Sequence, residues 1–275
     1  MPRVSAGERS VSSFSAALAG LELVGDRGHA RIPEGWGQGR ATFGGLIAAL
    51  ALRAARRRLG EPRPARGLLA VFPAPLGPGE VELHVRELRH GKAVSHLQAE
   101  VRRGDDIGCV LMASFGGARA SALVVPGDAP PGAPPPEGRP VLRPAQVPAP
   151  EFTQHVDYRS TFGGMPYAGL DTREIGGWCR LRDEPGPIAE EHLVALVDVW
   201  PSPAVTRMPA PAPAASITWA MELLEVEPDV PGAAWWLYRA ELEASAGGYA
   251  HSAARLWSPA GRLAALSRQS VAVFA

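Results

Sequence analysis

Cysteine is scarce in this chain, with two in 275 residues, Cys109 and Cys179. Neither belongs to a C-x-x-C pair or has a His-rich companion, which excludes a disulfide framework and a structural zinc site as the basis of the fold. Net charge is lacking too. The 28 Lys plus Arg balance 28 Asp plus Glu, so no global field recruits nucleic acid, an anionic lipid surface or an acidic partner. Long hydrophobic runs are missing. The longest, near Leu46 to Leu52, is too short to span a bilayer, and Met1 to Ser13 carries Arg, Glu and Ser without an apolar signal-peptide core. The expectation is a soluble cytoplasmic protein with no membrane insertion and no nucleic-acid partner.

Proline, by contrast, is concentrated. Ten prolines fall between Pro126 and Pro150, where neither a packed helix nor a central strand persists. Residues 126–150 therefore read as an extended linker between an N-terminal unit, 1–125, and a C-terminal unit, 151–275. Arms of equal length suggest duplication. In the first arm the pattern predicts a short helix from Ser10 to Leu18 and a strand from His29 to Pro33. Thr42-Phe43-Gly44-Gly45 then leads into an apolar helix that stops at Gly60. Four strands follow: Gly67 to Phe72, Glu80 to Arg89, Ala93 to Arg102 and Ile107 to Phe115. Val81, Leu83 and Val85 alternate with Glu82, His84 and Arg86, the period of a sheet with one wet face.

The second arm repeats the layout. Strands near Phe152 to Arg159 and Glu174 to Arg182 precede a helix from Glu190 to Trp200, and strands near Ser216 to Val226, Ala234 to Ala244, Gly247 to Ser258 and Arg262 to Phe274 follow it. An apolar helix with a long antiparallel meander, met twice, packs when each sheet wraps its helix and the two sheets join edge to edge. Tryptophans 178, 200, 219, 235, 236 and 257 gather in this arm, as core and interface packing with one or two free to wall a ligand tunnel.

At these residues the chain resembles the double-hotdog acyl-CoA thioesterases of the thioesterase II type. Thr42-Phe43-Gly44-Gly45-Leu46 resembles the family's F-G-G start of the first hotdog helix. Val71-Phe72-Pro73 with Leu88-Arg89-His90-Gly91-Lys92 is similar to its first-half hairpin, and Ala113-Ser114-Phe115 to the strand that closes that half. Leu196-Val197-Asp198, Ala215-Ser216-Ile217-Thr218 and Leu266-Ser267-Arg268-Gln269 resemble, in order, the segments bearing the family's Asp, Thr or Ser, and Gln. The resemblance implies an α+β double hotdog, two antiparallel sheets each wrapping a central helix, and a homodimer of chains. It implies hydrolysis of an acyl thioester, on coenzyme A or an acyl carrier, with Asp198, Ser216 and Gln269 as catalytic residues and no cofactor. Two positions depart from the family: Ser216 stands where threonine is more frequent, keeping the hydroxyl, and Thr218 where an acid is found, removing a charge.

The chemistry is consistent with those residue types. Thioester hydrolysis needs an activated water and a donor for the oxyanion. Asp198, set among Leu193, Val194, Leu196, Val197, Val199 and Trp200, is the expected half-buried base. Gly44 and Gly45, at a helix N-terminus with no Cβ, offer the oxyanion amides. The bland readings are a capping Asp198, a strand-bridging Gln269, and glycines that only let helix and sheet approach. Arg53, Arg56, Arg57 and Arg58 are expected at a helix C-terminus from the macrodipole alone. No histidine has a partner at metal spacing, and no serine lies in a G-x-S-x-G elbow. Two rivals remain: a hotdog hydratase or dehydratase using His192 with Asp198, and a non-catalytic acyl-CoA binding or scaffold protein.

Overall fold

The computed structural model describes residues 12–142, 149–224 and 227–274. In chain order the first half holds α1 (Phe14–Ala19), β1 (Glu22–Val24), β2 (Arg27–Ile32), β3 (Gly37–Gln38), β4 (Ala41–Thr42), α2 (Gly44–Leu59), β5 (Ala65–Val71), β6 (Gly79–Arg89), β7 (Val94–Arg103) and β8 (Asp106–Gly116). After the crossover a 3-10 turn (Glu151–His155) leads to β9 (Val156–Gly163) and β10 (Glu174–Leu181). Then come α3 (Glu190–Asp198), α4 (Ala204–Arg207), β11 (Ala214–Leu223), β12 (Trp236–Ala246), β13 (Tyr249–Trp257) and β14 (Leu263–Val273).

Twelve strands form one antiparallel sheet in the order β1-β2-β6-β7-β8-β5-β11-β14-β13-β12-β10-β9. Read outward from the centre, each half contributes the same series, two strands before its helix and four after, so a pseudo-twofold passes between β5 and β11. Those strands pair from Thr218↔Val71 to Glu222↔Gly67, which fuses two half-sheets edge to edge and removes two exposed edges. Each half-sheet curls over one helix: a double hotdog.

The helices run antiparallel at the heart of the molecule. α2 buries eleven of its sixteen residues and ends at Gly60, whose φ of 69° is the left-handed cap glycine adopts without strain. Arg56 near its end meets Glu190 at the start of α3, with Arg56 Nε 3.5 Å from Glu191, while at the other end Gly45 approaches Ala195. None of the helices among the described residues is long and apolar enough to cross a membrane.

Several boundaries differ from the sequence expectation. The first helix begins at Phe14 because Ser13 Oγ caps it, accepting from Ala16 N at 3.2 Å; Ser10 lies outside the described residues. The strand expected from Phe152 begins only at Val156, since Thr153 folds back on the carbonyl of Pro150 and makes a 3-10 turn. Leu224 is the last described residue of the strand expected to reach Val226. Residues 143–148 of the linker also lie outside the description. Its earlier part straps the outer face of the second half-sheet, where Trp257 and Trp178 donate indole N–H bonds to the carbonyls of Asp128 and Pro134, both at 2.9 Å. Ala133 packs there on Leu237, Trp257 and Leu263.

Candidate active site

β11 carries a bulge between Ser216 and Thr218 against β14. Along a regular strand Ser216 would share the outer face with Thr218; the extra residue, Ile217, turns it inward beside Gln269. Ser216 pairs with Val271, Trp219 with Gln269, and these side chains face α3. The carbonyl of Ile217 is not wasted: Phe72 N–H, from the first half, donates to it at 3.2 Å.

Three polar groups converge at this point. The Gln269 side-chain amide donates one N–H to Asp198 Oδ1 at 3.0 Å and the other to Ser216 Oγ at 2.9 Å. Both amide hydrogens are thereby spent, so Gln269 holds the carboxylate and leaves its carbonyl oxygen free to accept. Asp198 occupies the last position of α3, the end of a helix that disfavours an anion. The N-terminus of α2 offsets this, since Gly45 N–H donates to the Asp198 carboxylate. Burial outweighs both hydrogen bonds and pushes the carboxyl up to about 7.

α2 has no side-chain N-cap, for Phe43 stands at that position, and its first amides are left for the site. The two glycines are there because nothing larger fits. A Cβ on Gly44 would lie 2.7 Å from Asp198 Oδ2, and one on Gly45 2.5 Å from the Phe43 ring and 2.9 Å from Ala195 Cα. The pair expected to share the oxyanion role is thus divided: Gly45 N–H is committed to Asp198. Thr218 is absent from the cluster. It is exposed on the outer face opposite Val71, so the lost family acid at that position does not touch Asp198.

The sequence named Trp200 beside Asp198 and left its tyrosine neighbours, Tyr158 and Tyr238, unread. The Phe72 ring lies 3.7 Å from where a Gly44 Cβ would be. Behind Asp198, Tyr158 donates to the carbonyl of Val199 at 3.0 Å and packs edge-on against Trp200, which stacks on Tyr238. The histidines sit elsewhere, as expected: His96 and His251 face Ser114 and Ser270 across neighbouring strands, at 2.9 and 3.0 Å, in matching places of the two halves. No group of three or more His, Cys, Asp or Glu able to hold a metal occurs among the described residues.

A family model for the acyl-CoA thioesterase C-terminal domain matches residues 126–273, and one for the N-terminal domain of the same family matches 32–116. The chain belongs to the acyl-CoA thioesterase family. A hotdog-fold protein of unknown function from Alicyclobacillus acidocaldarius superimposes with a TM-score of 0.84 at 23% identity, covering 95% of this chain and 98% of its own. The tesB protein of Mycobacterium avium subspecies paratuberculosis scores 0.74 at 22% identity, covering 94% and 98%. An acyl-CoA thioesterase II from Mycobacterium marinum scores 0.73 at 19% identity, covering 94% and 96%. At such identities these neighbours establish the shared hotdog fold. A search of curated proteins returns no match. Family membership makes acyl-CoA the implied substrate class.

Proposed function

We propose that this acyl-CoA thioesterase family member hydrolyses an acyl thioester to the free acid and coenzyme A with a water activated by Asp198. The observation that carries the reading is the Asp198–Gln269–Ser216 chain, 3.0 and 2.9 Å between partners, set against the capless N-terminus of α2. A water donating to Asp198 is oriented by the Ser216 hydroxyl and the Gln269 carbonyl. Its oxygen attacks the thioester carbon as Asp198 takes the proton, and the Gly44 amide receives the developing oxyanion. Collapse breaks the C–S bond, and the proton held by Asp198 passes to the departing thiolate. A base with a pKa of about 7 is matched to neutral pH. One oxyanion donor contributes on the order of 3 kcal/mol.

The hydratase rival loses its proton carrier. His192 lies at the opposite end of α3, where Nδ1 accepts from Ala189 N at 2.9 Å and Nε2 meets Ser15 Oγ at 3.0 Å. The non-catalytic rival is tested by mixing the chain with acyl-CoAs of varied length and a thiol-detecting dye. Free thiol is the expected result; binding without thiol release would overturn hydrolysis. An acyl-carrier thioester belongs in the same panel. We also propose a cytoplasmic homodimer of chains, which light scattering returning a single 29.0 kDa particle would contradict.

A further inference from the structure

Two layers of stacked rings tie the second half of the chain to the amide of Gly44. Phe43, the N-cap residue of α2, lies parallel to Phe152 of the 3-10 turn, 4.1 Å between centroids and 11° between planes. Trp36 lies on the imidazole of His155, 3.8 Å away at 6°, and 6.3 Å from Phe43. All four rings are buried, none more than 4% exposed. Polar bonds fix the same junction. His155 Nε2 and Gln154 Nε2 both donate to the carbonyl of Gly35 at 3.0 Å, and Phe43 N donates to the carbonyl of Trp36 at 2.9 Å. Burial lowers the His155 pKa, and the nitrogen facing the Gly35 carbonyl is the one that carries the proton.

Resting on the hydrolytic reading above, we propose that Phe152 and His155 are positioning residues that aim the Gly44 amide at the oxyanion. The backbone of Phe43 (φ −46°, ψ 125°) sets the direction of the next amide. With its ring stacked on Phe152 and neighboured by Trp36, and its own N–H bonded to the Trp36 carbonyl, that backbone is restrained. The consequence joins the halves: the base comes from the second half and the oxyanion donor from the first, and the turn that ends the crossover holds them in register. A donor misplaced by about 1 Å costs on the order of 100-fold in rate, so the clamp acts on the transition state more than on substrate affinity.

The test uses the full chain, with Phe152→Leu to remove the stack at nearly constant apolar volume and Phe152→Tyr to restore it. Two unreactive ligands separate the roles: a ketone analogue of acyl-CoA, which keeps the carbonyl oxygen, and an S-alkyl coenzyme A, which lacks it. For Phe152→Leu the expected result is a kcat lowered by roughly 10-fold or more, KM within about 3-fold, ketone affinity reduced and S-alkyl affinity unchanged, with Phe152→Tyr recovering most of the rate. If the leucine chain melts below assay temperature, the ligand pair is read on His155→Asn, which removes the ring over Trp36. An unchanged kcat, or equal weakening of both ligands, overturns the proposal. A wild-type chain that releases no thiol removes the hydrolytic reading and this one with it, whereas an active wild type with an indifferent Phe152→Leu removes this one alone.

Discussion

The two crevices where helix meets sheet differ in what fills them. Both lie beside a bulge at the start of the strand next to the seam: Ser216/Thr218 in β11, Ala65/Gly67 in β5. In the second half the bulge presents Ser216, the neighbouring strand presents Gln269, and the helix ends on Asp198. In the first half the matching positions hold Ala65 and Ala113, and Arg56 of α2 pairs with Glu190, whose carboxylate accepts from Ala65 N at 3.0 and 3.2 Å. The Arg56 guanidinium also lies over the Phe115 ring, 5.5 Å from its centroid. One crevice keeps the Asp198–Gln269–Ser216 polar chain, and the other closes on an ion pair. The pseudo-twofold thus copies the scaffold and not the chemistry, so a single catalytic site per chain is expected.

Asp198→Asn breaks the comparison most severely. It preserves size and leaves Gln269 in place but removes the proton acceptor, so hydrolysis is expected to fall by roughly 10²- to 10⁴-fold with little change in affinity. Steady-state rates with one acyl-CoA measure it, and a loss under 5-fold, an order-of-magnitude margin below that range, would count against the base.

Glu190→Ala attacks the closed crevice instead. It removes the acceptor of the buried Ala65 N–H and leaves Arg56 with Glu191 as its only carboxylate neighbour among the described residues, and is expected to cost about 2 kcal/mol of stability by denaturant titration. The rate of the remaining folded fraction stays near wild type if that crevice has no chemistry.

Gln269→Ala and Ser216→Ala leave the base present and should each lower kcat by roughly 10-fold. In the Asp198→Asn background they should add almost nothing, since groups acting as one unit cannot be lost twice. Additive losses would separate them from Asp198. The smallest effect belongs to the strap: Trp257→Phe loses one hydrogen bond to the linker, about 1 kcal/mol of stability, with the rate untouched.

Local pattern made the scaffold readable and left the site half-readable. α2 announced itself through its apolar run and Gly60, and the strands of the first half through alternation, because both signals reside within one element. Asp198 and Gln269 were reached through their resemblance to a family, and chemistry alone supplied no reason to prefer them over a cap and a strand bridge. The inward turn of Ser216 goes with the Ile217 carbonyl accepting from Phe72 N–H across the seam, a contact between residues far apart in sequence. For the same reason the crossing of Phe152 onto Phe43 and the commitment of Gly45 to Asp198 were invisible. Alternation cannot show a bulge either: Thr218, two residues past Ser216, faces the opposite side of the sheet.

The central claim is that Asp198 is the base, and the pH dependence of kcat/KM tests it most directly. A carboxyl raised by burial to about 7 is protonated and inactive below that pH and ionised above it. Stability carries the opposite sign. Because the folded value exceeds the unfolded one of about 3.9, stability falls as pH rises between the two and is lowest above pH 7. Wild-type kcat/KM is expected to rise through an apparent pKa near 7 to a plateau, and the residual activity of Asp198→Asn to lack this limb; a variant that keeps the same limb would contradict Asp198 as the base.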